Sequence, residues 1–203
     1  MTAWIERYRR QAEARYQRLD AVLADLQLDE RHAPDQPAGR QGGNRMTVTD
    51  QTTIELDTTV PLVRIGRAFD APPNLVFAAH TDPDLIVRWL GPSRHEMVLD
   101  HWDCRDGGSY RYVHRSDGND YRFRGCFHTV RPAELIVQTF EFEGMPGHIA
   151  LERAAFEAID DGRTRLVVTS LVDSFAERDA FVASGMEEGV REGYQRLDAL
   201  LAG

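Results

Sequence analysis

The chain has 203 residues, 42% of them hydrophobic and 28% charged, with a formal net charge of −9. This is the composition of a folded globular chain. Its acidic balance argues against the clustered positive charge with which proteins grip nucleic acid or anionic membranes. Lysine is absent, so every cation outside the seven histidines is an arginine, and Schiff-base chemistry on a lysine is excluded. Cys104 and Cys126 lack the CxxC spacing of zinc or redox motifs. No apolar leader opens the chain and no run approaches the roughly 18 apolar residues of a membrane span. The expectation is a cytoplasmic protein with reduced thiols.

In chain order, residues 3–28 predict a helix. Ile5, Tyr8, Ala12, Tyr16, Leu19, Leu23 and Leu26 recur at spacings of three and four and form one apolar stripe. Residues 29–53 are polar and rich in proline and glycine, and read as a flexible linker between an extra helix (1–28) and a body (54–203). The body starts with a strand over 59–69. Pro72 and Pro73 then break the chain ahead of two short helices, 74–81 and 82–90, with Asp82 as N-cap and Pro83 in the first turn of the second. Strand patterns follow over 96–102, 109–115, 121–130, 135–142, 148–159 and 164–172. The sequences DGG (106–108), SDGND (116–120) and DDG (160–162) stand between some of them. Connections of this kind predict an antiparallel meander. A capping box at Ser174 and Glu177 opens a last helix of about 28 residues, striped by Val182, Met186, Val190, Tyr194, Leu197 and Leu201. A sheet of this size needs a cover for its apolar face. The expectation is an α+β helix-grip fold: a curved antiparallel sheet wrapped around a long C-terminal helix, plus the extra N-terminal helix.

Candidate site residues come from the same periodicities. Gly185, Gly189 and Gly193 lie four apart on the last helix, and each costs about 1 kcal/mol relative to alanine. Either the column leaves room for a ligand or it lets the helix backbone pack closely on a strand. Tyr110 and Tyr112 share one strand face, as do Tyr121, Phe123 and Phe127, while Arg111, Arg122 and Arg124 take the opposite faces. A concave sheet lined by aromatics with a few hydroxyls suits a mainly apolar small-molecule pocket; an ordinary filled core reads the same way. Trp89 either closes the mouth of such a cavity or packs its helix onto the sheet. The candidate cavity lining is therefore Trp89, Tyr110, Tyr112, Phe123, Phe127, Phe140, Gly185, Met186, Gly189 and Val190. His101, His114 and His128 are acid–base candidates only if a pair converges, and a metal site on Cys126, His128 and His114 is a minor alternative to surface or half-buried histidines. No catalytic residue, metal or cofactor is assigned. GxGxxG, GxxxxGK and GxSxG patterns are absent.

Several phrases taken together carry a resemblance. They are FDAPPNLVFAAHTDPDLIVRWLGP (69–92), RDGGSYRYV (105–113), DYRFRGCFHTVRPAELIVQTFEF (120–142), DGRTRLVVTS (161–170) and SGMEEGVREGYQRLDALLA (184–202). Over about 62–202 the chain resembles the START-like (SRPBCC) superfamily, and more closely the family named after the activator of the Hsp-ninety ATPase. The resemblance implies a helix-grip fold with a cavity between the sheet and the C-terminal helix. Its members include ligand carriers, cyclases and co-chaperone domains, so it implies no single activity. The leading expectation is binding of a small apolar or aromatic molecule without covalent chemistry. A polyketide-cyclase-type enzyme and a co-chaperone-like protein-interaction module are the alternatives.

One repeat needs its own account. YQRLDAVLA (16–24) and YQRLDALLA (194–202) differ only at Val22 against Leu200. The first copy reads as the remnant of a paralogue's last helix, or as a helix that docks on a partner or exchanges between chains to give a homodimer. Arg7, Gln11 and Arg15 stand four apart just before the first copy, where the second copy has glycines. That disfavours direct replacement and favours the remnant. The expected partner is a small hydrophobic molecule, with no nucleic acid and no membrane; a homodimer and a chaperone partner stay open.

Overall fold

The computed structural model describes residues 52–160 and 162–203. The expected helix over 3–28, and the linker up to residue 51, lie outside them. Eight strands form one antiparallel sheet: β1 (Thr53–Leu56), β2 (Leu62–Phe69), β3 (Glu96–Trp102), β4 (Ser109–Ser116), β5 (Asn119–Arg131), β6 (Leu135–Phe142), β7 (Ile149–Asp160) and β8 (Arg163–Leu171). Their spatial order is β1-β2-β8-β7-β6-β5-β4-β3. The run β3 to β8 is the expected meander. Its β4–β5 turn holds Asp117 at φ 52° and Gly118 at φ 78°, with Ser116 paired to Asn119. Two left-handed central residues are what a two-residue hairpin needs to match strand twist.

The helices are α1 (Pro73–Thr81) and α2 (Pro83–Ile86) between β2 and β3, then α3 (Phe175–Ala183) and α4 (Met186–Leu201) at the C-terminal end. Asp82 caps α2 by accepting the Asp84 N–H at 2.8 Å, and Ser174 caps α3 by accepting the Glu177 N–H at 3.2 Å. The Glu177 carboxylate accepts from the Asp173 N–H at 3.0 Å and contacts His148.

Three expectations are corrected. The last helix is two helices, because Gly185 adopts φ 85° and breaks the ladder between α3 and α4; only glycine takes that conformation without strain. The second short helix is one turn long and unwinds into turns before Trp89. An eighth strand, β1, joins the edge and pairs Ile54 with Ile65. Its four residues are too few to show a period.

The core is packed tightly at one end of the sheet. Phe69, Val76, Leu166 and Leu197 are fully enclosed. Tyr194 of α4 stands edge-on to Phe69 at 5.6 Å, and Phe77 of α1 stands edge-on to Phe156 at 5.3 Å. The last carbonyls of α1, which lack helical partners, accept indole N–H bonds: Trp89 donates to Ala79 O and Trp102 to Thr81 O, both at 2.8 Å. The other end is looser. α3 has no fully buried residue, and in α4 only Gly193, Tyr194 and Leu197 are buried. Among the described residues no helix is long and apolar enough to cross a membrane.

Candidate functional site

Side chains alternate across a strand, so the inner face of the sheet reads directly from the register. One cross-strand row runs Val63, Ser170, Glu152, Gln138, Phe127 across β2, β8, β7, β6 and β5. Phe123 and Phe140 stack at 5.4 Å, and Phe123 stacks on Tyr112 at 5.1 Å. Phe181 and Val182 of α3 and Met186 and Val190 of α4 also pack against the core. Phe123, Phe140, Ala154 and Val168 on the sheet stay half-buried, as do those four helix residues. Apolar side chains on the sheet and on the C-terminal helices thus both keep accessible surface, and the space beside the α3–α4 junction is the candidate groove.

The expected lining residues divide into three groups. Trp89, Tyr110, Tyr112 and Phe127 are 2–6% exposed and belong to packed structure. Trp89 lies within 6.1 Å of the Tyr194 ring and 4.6 Å of His80, so it packs its segment into the core. Phe123, Phe140, Met186 and Val190 are half-buried, Gly189 is half-buried with its side-chain position beside Pro92, and Gly185 is exposed at the helix junction. The glycine column is divided by that junction. A Cβ on Gly193 would lie 3.1 Å from Trp89 O, so this glycine permits close packing, although on the segment after α2 rather than on a strand.

The inner face of the sheet carries a polar line that periodicity alone did not pick out. Gln138 donates its Nε2–H to Glu152 Oε2 at 3.0 Å, and Ser170 Oγ lies 3.5 Å from Glu152 Oε1. Gln138 Nε2 also lies 3.5 Å from Tyr110 Oη, which donates to Thr139 O at 2.8 Å. Tyr110 reaches across β5 because Gly125 leaves the space: a Cβ there would sit 2.6 Å from Tyr110 Oη and 2.0 Å from Thr139 O. Burial holds the Glu152 carboxyl above the usual carboxylate range, against the Gln138 and Ser170 bonds that favour ionisation. Burial, then the Glu152 charge, pushes the Tyr110, Tyr112 and Tyr194 phenols up. The signal for Glu152 was in the sequence: it falls in phase with Ala150, Ala154 and Phe156 on β7, a carboxylate at a core-facing parity.

The candidate acid–base groups do not converge. His101 and His128 are exposed, while His114 is 5% exposed on the inner face. Its Nε2 is buried without a hydrogen-bond partner. Burial, helped by His95 and Arg196, pushes its imidazole down to about 4. Among the described residues no group of three ligating side chains forms a metal site.

Two concavities lie elsewhere. One of about 390 Å³ sits on the outer face among Arg111, Arg124, Glu141, Glu143 and Pro146. There Arg111 binds Glu143 at 2.6 Å and also contacts Asp100, and Arg124 binds Glu141 at 2.7 Å. These charges already satisfy one another. The other, of about 270 Å³, is edged by Arg88, Arg196, Ala199 and Leu200.

Comparison with known proteins places these features in a wider set. A solution structure of a protein from Arthrobacter aurescens is 25% identical over 74% of this chain and 91% of its own, with a TM-score of 0.68. A crystal structure of a protein from Rhodobacter sphaeroides is 24% identical over 75% and 99%, with a TM-score of 0.69. One from Mycobacterium smegmatis is 22% identical over 74% and 96%, with a TM-score of 0.68. No curated protein matches the chain. The family described as Activator of Hsp90 ATPase homolog 1-like protein matches residues 70–202.

Proposed function

We propose that this chain, which belongs to the Activator of Hsp90 ATPase homolog 1-like family, binds a small apolar or aromatic molecule non-covalently between its sheet and its C-terminal helices. The observation that carries the reading is the incomplete burial of both groove walls, Phe123, Phe140, Ala154 and Val168 below and Phe181, Val182, Met186 and Val190 above. Apolar walls with a few convergent polar groups are the usual make-up of a ligand pocket. Native mass spectrometry of the full chain, desolvated gently and then denatured, tests it. A stoichiometric hydrophobic compound released on denaturation is the expected result. A mass without added compound, together with no saturable binding of naphthalene-sized probes, would overturn it.

The outer face supports a second reading, docking of another protein. Leu151 and Leu171 pair directly across β7 and β8, and are 49% and 37% exposed. Ile149 adds to the same face at 47%. Loss of a captured partner on Leu151→Asp, with probe binding unchanged, would favour docking over the groove.

A further inference from the structure

The proposed groove has an unusual floor for an apolar site, and this inference rests on that reading. Twelve of the described carboxylates, Asp100, Asp103, Asp106, Asp120, Asp160, Asp179 and Asp198, and Glu141, Glu143, Glu177, Glu187 and Glu188, each meet an arginine or a histidine. Those without an ion pair are exposed, apart from Asp57, which takes donors from Thr59 and Val60, Glu192, which takes two from Ser93, and Glu152. Among the described residues no cation reaches Glu152, and its partners are the Gln138 amide at 3.0 Å and the Ser170 hydroxyl at 3.5 Å. A carboxylate offers about four acceptor sites across its two oxygens. Oε2 has one good donor, and Oε1 has only the long Ser170 contact. Ser170 is itself 3% exposed, so the row is built into the sheet, while Glu152 keeps accessible surface.

We infer that Glu152 is the anchoring acceptor for the groove's ligand, and that this ligand is an aromatic or apolar molecule bearing a cationic amine. Burying a carboxylate without a counter-charge is costly, and a ligand ammonium removes that cost while filling the free valence of Oε1. The neighbouring rings strengthen the choice. Tyr112, Phe123 and Phe140 form a continuous stack that offers the ligand's aromatic or apolar part a surface. An anionic head would meet Glu152 as a like charge, and no inner-face arginine lies in this row: Arg67 stands two rows further along β2, bonded to Thr52 at 2.7 Å and paired with Asp198.

Three naphthalene probes of equal ring size test the inference on the full chain by fluorescence titration at neutral pH. They are 1-naphthylmethylamine, 1-naphthalenemethanol and 1-naphthoate. The amine is expected to bind at least about tenfold more tightly than the alcohol, as a charge-assisted bond to a buried carboxylate should give, and the carboxylate most weakly. Glu152→Gln, close in shape, should erase the amine's advantage over the alcohol. Equal binding of amine and alcohol in the wild-type chain, or an amine preference that survives Glu152→Gln, overturns the inference while leaving the groove reading intact. Binding of none of the three overturns the groove and the anchor together. The wild-type comparison decides the matter even if the variant fails to fold.

Discussion

Gly125 and Tyr110 show how a single residue shapes the interior. The Tyr110 ring lies where a side chain on Gly125 would stand, and its hydroxyl bonds the Thr139 carbonyl beyond. Gly125→Ala drives a Cβ against that carbonyl, so the variant should lose about 3 kcal/mol, the upper end of ordinary overpacking costs; urea denaturation measures it, and a loss within error would refute the close approach. His114 gives a second residue-scale prediction. Its imidazole falls to about 4 from an ordinary value of 6.5. Below pH 6.5 the unfolded chain takes up a proton that the folded chain refuses, so the contribution is fully present above 6.5 and is lost as pH falls towards 4. The loss reaches about 3 kcal/mol for a shift of this size. Between pH 7 and 4 the wild-type chain should therefore lose more stability than His114→Phe. Parallel curves for the two proteins would count against the burial of a neutral imidazole. Glu152 belongs at this scale too. Strand parity placed it among Ala150, Ala154 and Phe156, but that it goes without a cation depends on which side chains β6 and β8 bring beside it.

At the scale of the element, the C-terminal helix carries the main correction. Its stripe and its Ser174 cap were legible, because both are local. The break at Gly185 was not, since a glycine inside a helical pattern reads equally as a helical residue and as a left-handed joint. The three glycines now separate by mechanism. Gly185→Ala forces a left-handed alanine at φ 85° and should cost about 1 kcal/mol or more. Gly189 lies inside α4, and a Cβ there would meet Pro92 at an ordinary 3.5 Å, so Gly189→Ala should be neutral or stabilise by up to about 1 kcal/mol. Thermal or urea melts of the two variants should move in opposite directions; a common direction would mean that the junction is not where the helix yields. The joint also bears on the proposed groove, because the half-buried Val182 and Met186 flank it.

For the whole molecule, one end of the sheet is solid, and the other is the looser end to which the proposed groove is assigned. The solid end draws on α1, the Trp89 segment and the C-terminal half of α4, and it encloses Phe69, Val76, Leu166 and Leu197 completely. A body with its own enclosed core should fold without the segment that precedes it. Removing residues 1–45 should shift the melting temperature by no more than the roughly 4 °C that 1 kcal/mol produces in a domain of this size; a collapse in melting temperature would show that the first copy of the repeated helix is structural. The amino-acid sequence by itself determined the meander, the two proline-led turns into α1 and α2, the apolar stripe and N-cap of the C-terminal helical segment and the family, because period, turn chemistry and caps are properties of neighbours in the chain. Tertiary structure alone decided which aromatics are walled in and which keep surface, that Gly193 serves close packing on the Trp89 segment, and that Ser170, Glu152 and Gln138 stand side by side. Those facts depend on register between strands distant in sequence and on how far a helix stands off a sheet, and no local pattern encodes either.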